Sequence, residues 1–305
     1  MLSQSARPRI ESSAASLLSP ELMTQLEHME LVSRKIFRGR FQGERRSRRQ
    51  GQSVEFADYR SYVSGDDLRF VDWNLYARLD RLFLKLFLEE EDLRFFTLID
   101  ASTSMDFGNP NKLQYAKQLA AALAFVGLCR ADQVRVAPLS NARSGEARTL
   151  RGRHQVWRML RDLEAIQAGQ NVSLTEGLKT FCLRTTGKGI VVLISDLLDK
   201  EGYESGLRYL LAHDLDIYVV HVLSPEELQP TLQGDLQLVD CEDDDKADIT
   251  ISKPLLDQYQ RTLAAFRQGA RDFCLRRGIA YLPASTAHSV QSLVLGYLRE
   301  RGLVR

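Results

Sequence analysis

The sequence predicts an α/β fold, a mostly parallel sheet flanked by helices. Three observations predict it. Segments that are apolar on both faces recur, Gly189–Ser195 and Leu215–Leu223 being the clearest, and such segments suit strands covered from both sides. Stretches of helical length and composition separate them, as from Lys112 to Arg130. Strand and helix alternate along the chain, which is the order of parallel crossover units.

The elements follow in order. Residues 1–19 are rich in Ser, Ala and Pro and are expected to form a flexible tail. Ser19-Pro20-Glu21 reads as a helix start, with apolar residues recurring from Leu22 to Val32. From Arg34 through Tyr62 no helical period survives, and irregular or strand-and-turn structure is expected. Arg81 to Glu89 reads as a strand running into the acidic stretch Glu89–Asp92. Residues 20–92 are therefore taken as an N-terminal, strand-containing extension, and 93–305 as the α/β domain. In the latter, Arg94–Asp100 is an apolar strand ending in a carboxylate. Helix Lys112–Arg130, strand Gln133–Leu139, helices His154–Ala168 and Leu174–Arg184, and strand Gly189–Ser195 follow. A helix from about Tyr203 to His213 precedes strand Leu215–Leu223. The period then changes. Asp235–Asp240 and Ala247–Ser252 form an inserted β-hairpin at about 232–252, around the acidic turn Glu242–Asp245. Helix Leu255–Arg277, strand Ile279–Leu282 and helix Ser289–Arg301 close the chain.

Apolar residues make up 44% and charged residues 27%, a balance that builds an ordinary globular core. The net charge of +1 hides an uneven distribution: residues 1–60 hold 11 Lys/Arg against 7 Asp/Glu. The basic excess is thus local, and nucleic-acid binding by the whole protein is not expected. No apolar run approaches the roughly 20 residues that cross a bilayer. The start of the chain lacks the pattern of a secretory signal. Cys129, Cys182, Cys241 and Cys274 are widely spaced, with no metal-binding spacing, and suit a reducing compartment. The cytoplasm is the expected location.

Two constellations carry chemistry. Asp100-Ala101-Ser102-Thr103-Ser104 lies at the carboxyl end of a buried parallel strand, where open α/β sheets place ligands. One carboxylate and two hydroxyls, joined by Asp196 at the end of another apolar strand, offer the oxygen ligands that Mg²⁺ or Mn²⁺ prefers. The simpler alternative is that these side chains only hydrogen-bond their own loop. The second constellation is Tyr62 to Arg78. Gly65-Asp66 predicts a turn, and Asp66 or Asp67 caps a short helical turn. Arg69, Asp72 and Arg78 are candidates for mutual pairing, and Phe70 and Trp73 are expected to pack against the sheet as a plug. A catalytic centre of Asp66, Asp67 and Asp72 is the alternative. The arm 34–49 carries eight Lys/Arg and one Glu, which reads as a solvated arm or, alternatively, a nucleic-acid contact. No nucleophile elbow, Walker loop or zinc-protease motif is present.

Asp100-x-Ser102-x-Ser104 with Asp196 resembles the metal-ion-dependent adhesion site of von Willebrand factor A domains, which are Rossmann-like. The stretch Gly65-Asp66-Asp67-x-Arg69-x-x-Asp72-Trp73…Arg78 resembles the signature of the bacterial domain-of-unknown-function family number 58. Leu238 to Glu242 and Gly278-Ile279-x-Tyr281 continue that likeness. The resemblance implies a von Willebrand factor A-like domain and a non-enzymatic protein-interaction module. It also implies Mg²⁺ or Mn²⁺ at Asp100, Ser102, Ser104 and Asp196. The implied partner is an AAA+ ATPase of the MoxR type, which this chain would serve as adaptor or chaperone-like factor. The pattern departs at Val172, where adhesion sites place a Thr, so Ser173 or Thr175 would have to supply that oxygen. A metal-dependent hydrolase and nucleic-acid binding through the arm are the alternative functions.

Overall fold

A computed structural model describes residues 17–32, 55–88, 93–140, 148–169, 172–231, 234–239, 246–299 and 303–304. The tail before residue 17, the basic arm 34–49, the acidic stretch 89–92 and the turn 242–245 lie outside the described residues. The chain forms two compact units, residues 41–92 and the remainder.

The larger unit is built on five parallel strands: β3 (Arg94–Ile99), β4 (Gln133–Pro138), β5 (Gly189–Ser195), β6 (Leu215–Leu223) and β9 (Ala280–Ser285). Their order across the sheet is β4-β3-β5-β6-β9. Successive side chains on a strand point to opposite faces, so each central strand feeds two cores. Phe95, Ile99, Ile190, Val192, Ile194, Tyr218 and Val220 pack on one face. Phe96, Leu98, Val191, Leu193, Ile217 and Val219 pack on the other. Helix α3 (Lys112–Cys129) covers the first face and is buried on nearly all sides, which explains its run of Ala and Leu rather than an amphipathic stripe. Helix α4 (Val156–Glu164) joins it there, while α5 (Leu174–Arg184), α6 (Glu204–Leu211) and α8 (Lys253–Arg276) cover the second face. The fold is the α/β architecture that the alternating pattern predicts.

Several boundaries differ from expectation. Helix α1 (Pro20–Leu26) is capped by Ser19, whose hydroxyl accepts from Leu22 N at 3.2 Å. Its Leu22 and Leu26, with Leu17, Leu18, Met29 and Leu31, belong to the first-face core. Leu31 also bridges to Val304, and Val32 N donates to Leu303 O at 2.9 Å. Residues 17–32 therefore belong to the α/β unit and not to an extension covering 20–92. Their apolar spacing supplies a face that packs into the α/β core. The expected helix 154–168 is shorter, a tight turn Arg153–Gln155 leading into α4. The closing helix opens with one turn, α9 (Val290–Ser292), and widens into π-helical winding over Leu293–Leu298. A four-residue helix, α7 (Pro225–Leu228), has no counterpart in the sequence reading. The inserted hairpin is present as β7 (Gly234–Val239) paired antiparallel with β8 (Lys246–Ile251).

The smaller unit pairs β1 (Glu55–Ser61) with β2 (Phe83–Leu88), antiparallel, the register shifting between Phe56 and Asp58. Between them run a tight turn at Leu68–Phe70 and helix α2 (Trp73–Leu79).

One close approach fixes the start of β5. A Cβ on Gly189 would collide with the carbonyl oxygen of Arg94 on the neighbouring strand. Gly189→Ala is expected to destabilise the fold by about 1–3 kcal/mol, the usual cost of overpacking against backbone. Urea unfolding of the two proteins measures this, and an unchanged midpoint would show that β3 and β5 yield freely.

Candidate functional site

The strand order reverses between β3 and β5, because β3 connects onward to β4 on one side and the chain then crosses to β5 on the other. In open α/β sheets the crevice at the carboxyl end of such a switch point is where ligands bind. Asp100 follows β3 and Asp196 follows β5, so the topology brings both predicted carboxylates to that crevice. Asp100 N donates to Ile194 O at 2.9 Å, holding the two strand ends together.

The side-chain oxygens of Asp100, Ser102, Ser104 and Asp196 are all hydrogen-bonded within the protein. Asp100 Oδ1 accepts from Ser102 N at 3.0 Å and Oδ2 from the Ser195 hydroxyl at 2.6 Å. Ser102 Oγ and Ser104 Oγ bond each other at 2.9 Å. Asp196 Oδ1 accepts from Leu198 N at 3.1 Å. Its Oδ2 accepts from the Lys112 ammonium at 2.7 Å, and Lys112 Nζ also donates to Glu227 Oε1 at 2.5 Å. Lys112 is 0% exposed and Asp196 1%. Leu197, whose N donates to Ser195 Oγ at 2.9 Å, has φ 59°, a left-handed conformation that non-glycine residues rarely adopt and that concentrates at functional sites.

The electrostatics follow from burial and from these pairs. Burial pushes the Asp100 carboxyl above its ordinary pKa, the Asp196 charge adds to this, and the bonds from Ser195 and Ser102 oppose it. Burial works against the Lys112 ammonium, but the charges of Asp196 and Glu227 outweigh it and hold its pKa above the usual value.

Sequence reasoning missed Lys112 and Glu227. Glu227 had a local signal. Ser224-Pro225-Glu226-Glu227 is a capping box, in which Ser224 Oγ accepts from Glu227 N and Glu227 Oε2 accepts from Ser224 N at 2.7 Å. Lys112 carries no such signal, since a lysine at the start of a helix reads as a surface residue. The two side chains expected to stand in for the missing Thr differ in their bonding. Ser173 Oγ caps α5 by accepting from Glu176 N at 3.2 Å, and Thr175 Oγ1 is buried without a partner. Among the described residues no three His, Cys, Asp or Glu side chains group as a metal site.

The Gly65–Arg78 stretch has the expected turn and the expected Asp67 cap, and departs from expectation in its pairings and in the exposure of its aromatic residues. Gly65 sits at φ 102°, in the turn where Asp66 N donates to Val63 O. Asp66 accepts from Arg60 and from Val63 N, both at 2.9 Å. Asp67 caps the Leu68–Phe70 turn and pairs with Arg69 at 2.6 Å. Asp72 caps α2 through Asn74 N and Leu75 N, and its other oxygen takes Tyr59 Oη at 3.0 Å and Lys85 at 3.2 Å. The expected pairing of Asp72 with Arg69 or Arg78 is replaced by Tyr59 and Lys85, because β1 and β2 bring those two under the helix start. Phe70 and Trp73 are 46% and 57% exposed, so they are no buried plug. The aspartates are tied to backbone and basic partners; between them Leu68 and Phe70 are exposed, and Val71 is buried.

Fold and site together define the class: an α/β protein with a parallel sheet, whose switch-point crevice is lined by carboxylates and hydroxyls, carrying a small antiparallel unit. The chain belongs to the family described as "Protein of unknown function DUF58", which matches residues 58–269. It is 26% identical over 253 residues to the uncharacterised protein Rv1480 of Mycobacterium tuberculosis, covering 81% of this chain and 80% of that one. The uncharacterised protein Mb1516 of Mycobacterium bovis matches with the same figures, 26% over 253 residues, 81% and 80%. Among solved structures, the conserved hypothetical protein BatB from Bacteroides thetaiotaomicron is similar with a TM-score of 0.40 at 15% identity, over 68% of this chain and 98% of that chain. An aerotolerance-related membrane protein from Bacteroides fragilis gives a TM-score of 0.40 at 15% identity, over 68% and 99%. No helix among the described residues is long and apolar enough to cross a membrane.

Proposed function

We propose that this chain is a von Willebrand factor A-like, non-enzymatic protein-binding module. One observation carries the reading. In the smaller unit, Val63, Leu68, Phe70, Trp73, Tyr76 and Leu79 are all exposed, while Asp66, Asp67 and Asp72 are spent on holding the turns that display them. Trp73, Tyr76 and Leu79 follow at spacings of three along α2, and the Trp73 and Tyr76 rings meet edge to face at 6.1 Å. Trp and Tyr dominate the energetic centres of protein interfaces, and grouped exposed apolar residues mark such surfaces. A hydrolytic centre built on Asp66, Asp67 and Asp72 is disfavoured by the same bonds, because none of the three is left to activate water.

The partner that the family resemblance implies is an AAA+ ATPase of the MoxR type, with this chain as its adaptor in the cytoplasm. A divalent ion is no part of the proposal. The test is calorimetric titration of the purified chain with a purified AAA+ ATPase of the MoxR type. Trp73→Ala is expected to weaken binding by about 2 kcal/mol, roughly 30-fold, with an unchanged circular dichroism spectrum because the side chain is exposed. Equal affinity of wild type and variant would remove this face from the interaction.

A further inference from the structure

Lys112 is an improbable lysine on local grounds. It is the first residue of α3, where the helix dipole disfavours a cation, and it is fully buried, where an ammonium is costly. Its surroundings account for it. Nζ reaches Asp196 at 2.7 Å and Glu227 at 2.5 Å, and lies 5.9 Å from the Phe107 ring centre. The cage is built by the fold. Gly108, at φ 87°, seats the loop before α3 directly on Ser224, leaving no room for a Cβ. Ser224 in turn fixes Glu227 through the capping box, and Tyr259 Oη anchors α7 from below by donating to Glu227 O at 2.7 Å.

We propose that the Lys112 ammonium is the resident cation of this crevice, in the role that the adhesion-site resemblance gives to Mg²⁺ or Mn²⁺. The residues present do not fit a divalent ion. Such an ion needs several oxygens directed at one centre. Both oxygens of Asp100 and both of Asp196 accept bonds from the protein, and Ser102 and Ser104 face each other. Val172 offers no oxygen where the Thr would stand. The ammonium instead does two jobs of the ion, neutralising Asp196 and tying the loop after β5 to the loop after β6. A crevice closed by its own cation has no open coordination position for a partner's carboxylate. The inference is independent of the partner reading, which rests on the smaller unit.

Calorimetric titration of the full chain with Mn²⁺ and with Mg²⁺ tests it. Wild type is expected to show no saturable binding in the millimolar range. Lys112→Ala, which empties the cage and leaves two carboxylates without a cation, is expected to gain a Mn²⁺ site. The gain is read as a metal-dependent rise in melting temperature that is absent from Lys112→Ala/Asp196→Asn. Saturable Mn²⁺ binding by wild type that Asp100→Ala abolishes would overturn the proposal, as would a folded Lys112→Ala indifferent to Mn²⁺. If Lys112→Ala does not fold, the Lys112 Nζ resonance of wild type decides. A slowly exchanging ammonium signal untouched by Mg²⁺ supports the assignment, and its displacement by Mg²⁺ refutes it.

Discussion

Lys112→Met is expected to lower the folding stability of the chain by about 3–5 kcal/mol, the cost of removing one partner from a buried ion pair. The side chain is 0% exposed and bridges two carboxylates, of which Asp196 is 1% exposed. Met fills nearly the same volume, so the loss measures charge rather than packing. Asp196, 1% exposed, and Glu227, 14% exposed, are then left without their counterion. A double-mutant cycle separates the parts. Lys112→Met/Asp196→Leu is expected to recover some of the loss, since two well-packed apolar residues are tolerated where a lone buried charge is not. Urea unfolding measures Lys112→Met, Asp196→Leu and the double variant. A loss below about 1 kcal/mol for Lys112→Met, the range of an exposed pair, would mean that the ammonium does not sit in the cage.

Acid is expected to unfold the chain more readily than its carboxylates alone would allow, because of His221 on β6. This residue is 1% exposed, and its Nδ1 bonds Tyr281 Oη at 2.7 Å. Burial pulls its pKa down from 6.5 to about 4; Arg267 and Lys112 act in the same direction, and Asp196 opposes them. At neutral pH the imidazole is uncharged in both folded and unfolded chains, and no penalty exists. As pH falls below 6.5 the unfolded chain takes up a proton that the folded chain refuses. Stability therefore declines from about pH 6.5 to about pH 4 and levels off below, the decline reaching about 3 kcal/mol. His221→Gln removes the titration. Its unfolding free energy, measured by urea at neutral pH and at about pH 4, is expected to differ less between the two than that of wild type. Identical pH slopes for the two proteins would show that His221 is solvated or charged in the folded state.

The elements of this protein were legible in its sequence because their causes are local. Ile190 to Ile194 is apolar at every position, and a chain that must bury both faces of a segment has few options besides a central parallel strand. Ser19-Pro20 announces a helix start through a bond made within one turn. The carboxylates at the ends of β3 and β5 were visible for the same reason, each being the first polar residue after an apolar strand. Asp67 as a cap was legible too, whereas Asp72 was assigned the wrong partners. Tyr59 and Lys85 lie on strands whose antiparallel pairing no local pattern reports.

What only the tertiary structure decided is which loops meet. The strand order β4-β3-β5-β6-β9 places Asp100 beside Asp196, and the packing of α3 and α7 over the same rim delivers Lys112 and Glu227. Residues 17–32 join the core, and Phe70 and Trp73 stay in water, by the same kind of decision. Periodicity and capping are written into a few consecutive residues, so sequence alone determines most of the helices and strands of the α/β unit and the carboxylates at the ends of β3 and β5, but not the short α7 or the π-helical close of the chain. The charge balance of the site depends on groups far apart in the chain: the Lys112 ammonium reaches Asp196, 84 residues on, and Glu227, 115 residues on, only through folding. Their energies are set by burial and distance, quantities that do not exist until the chain has folded.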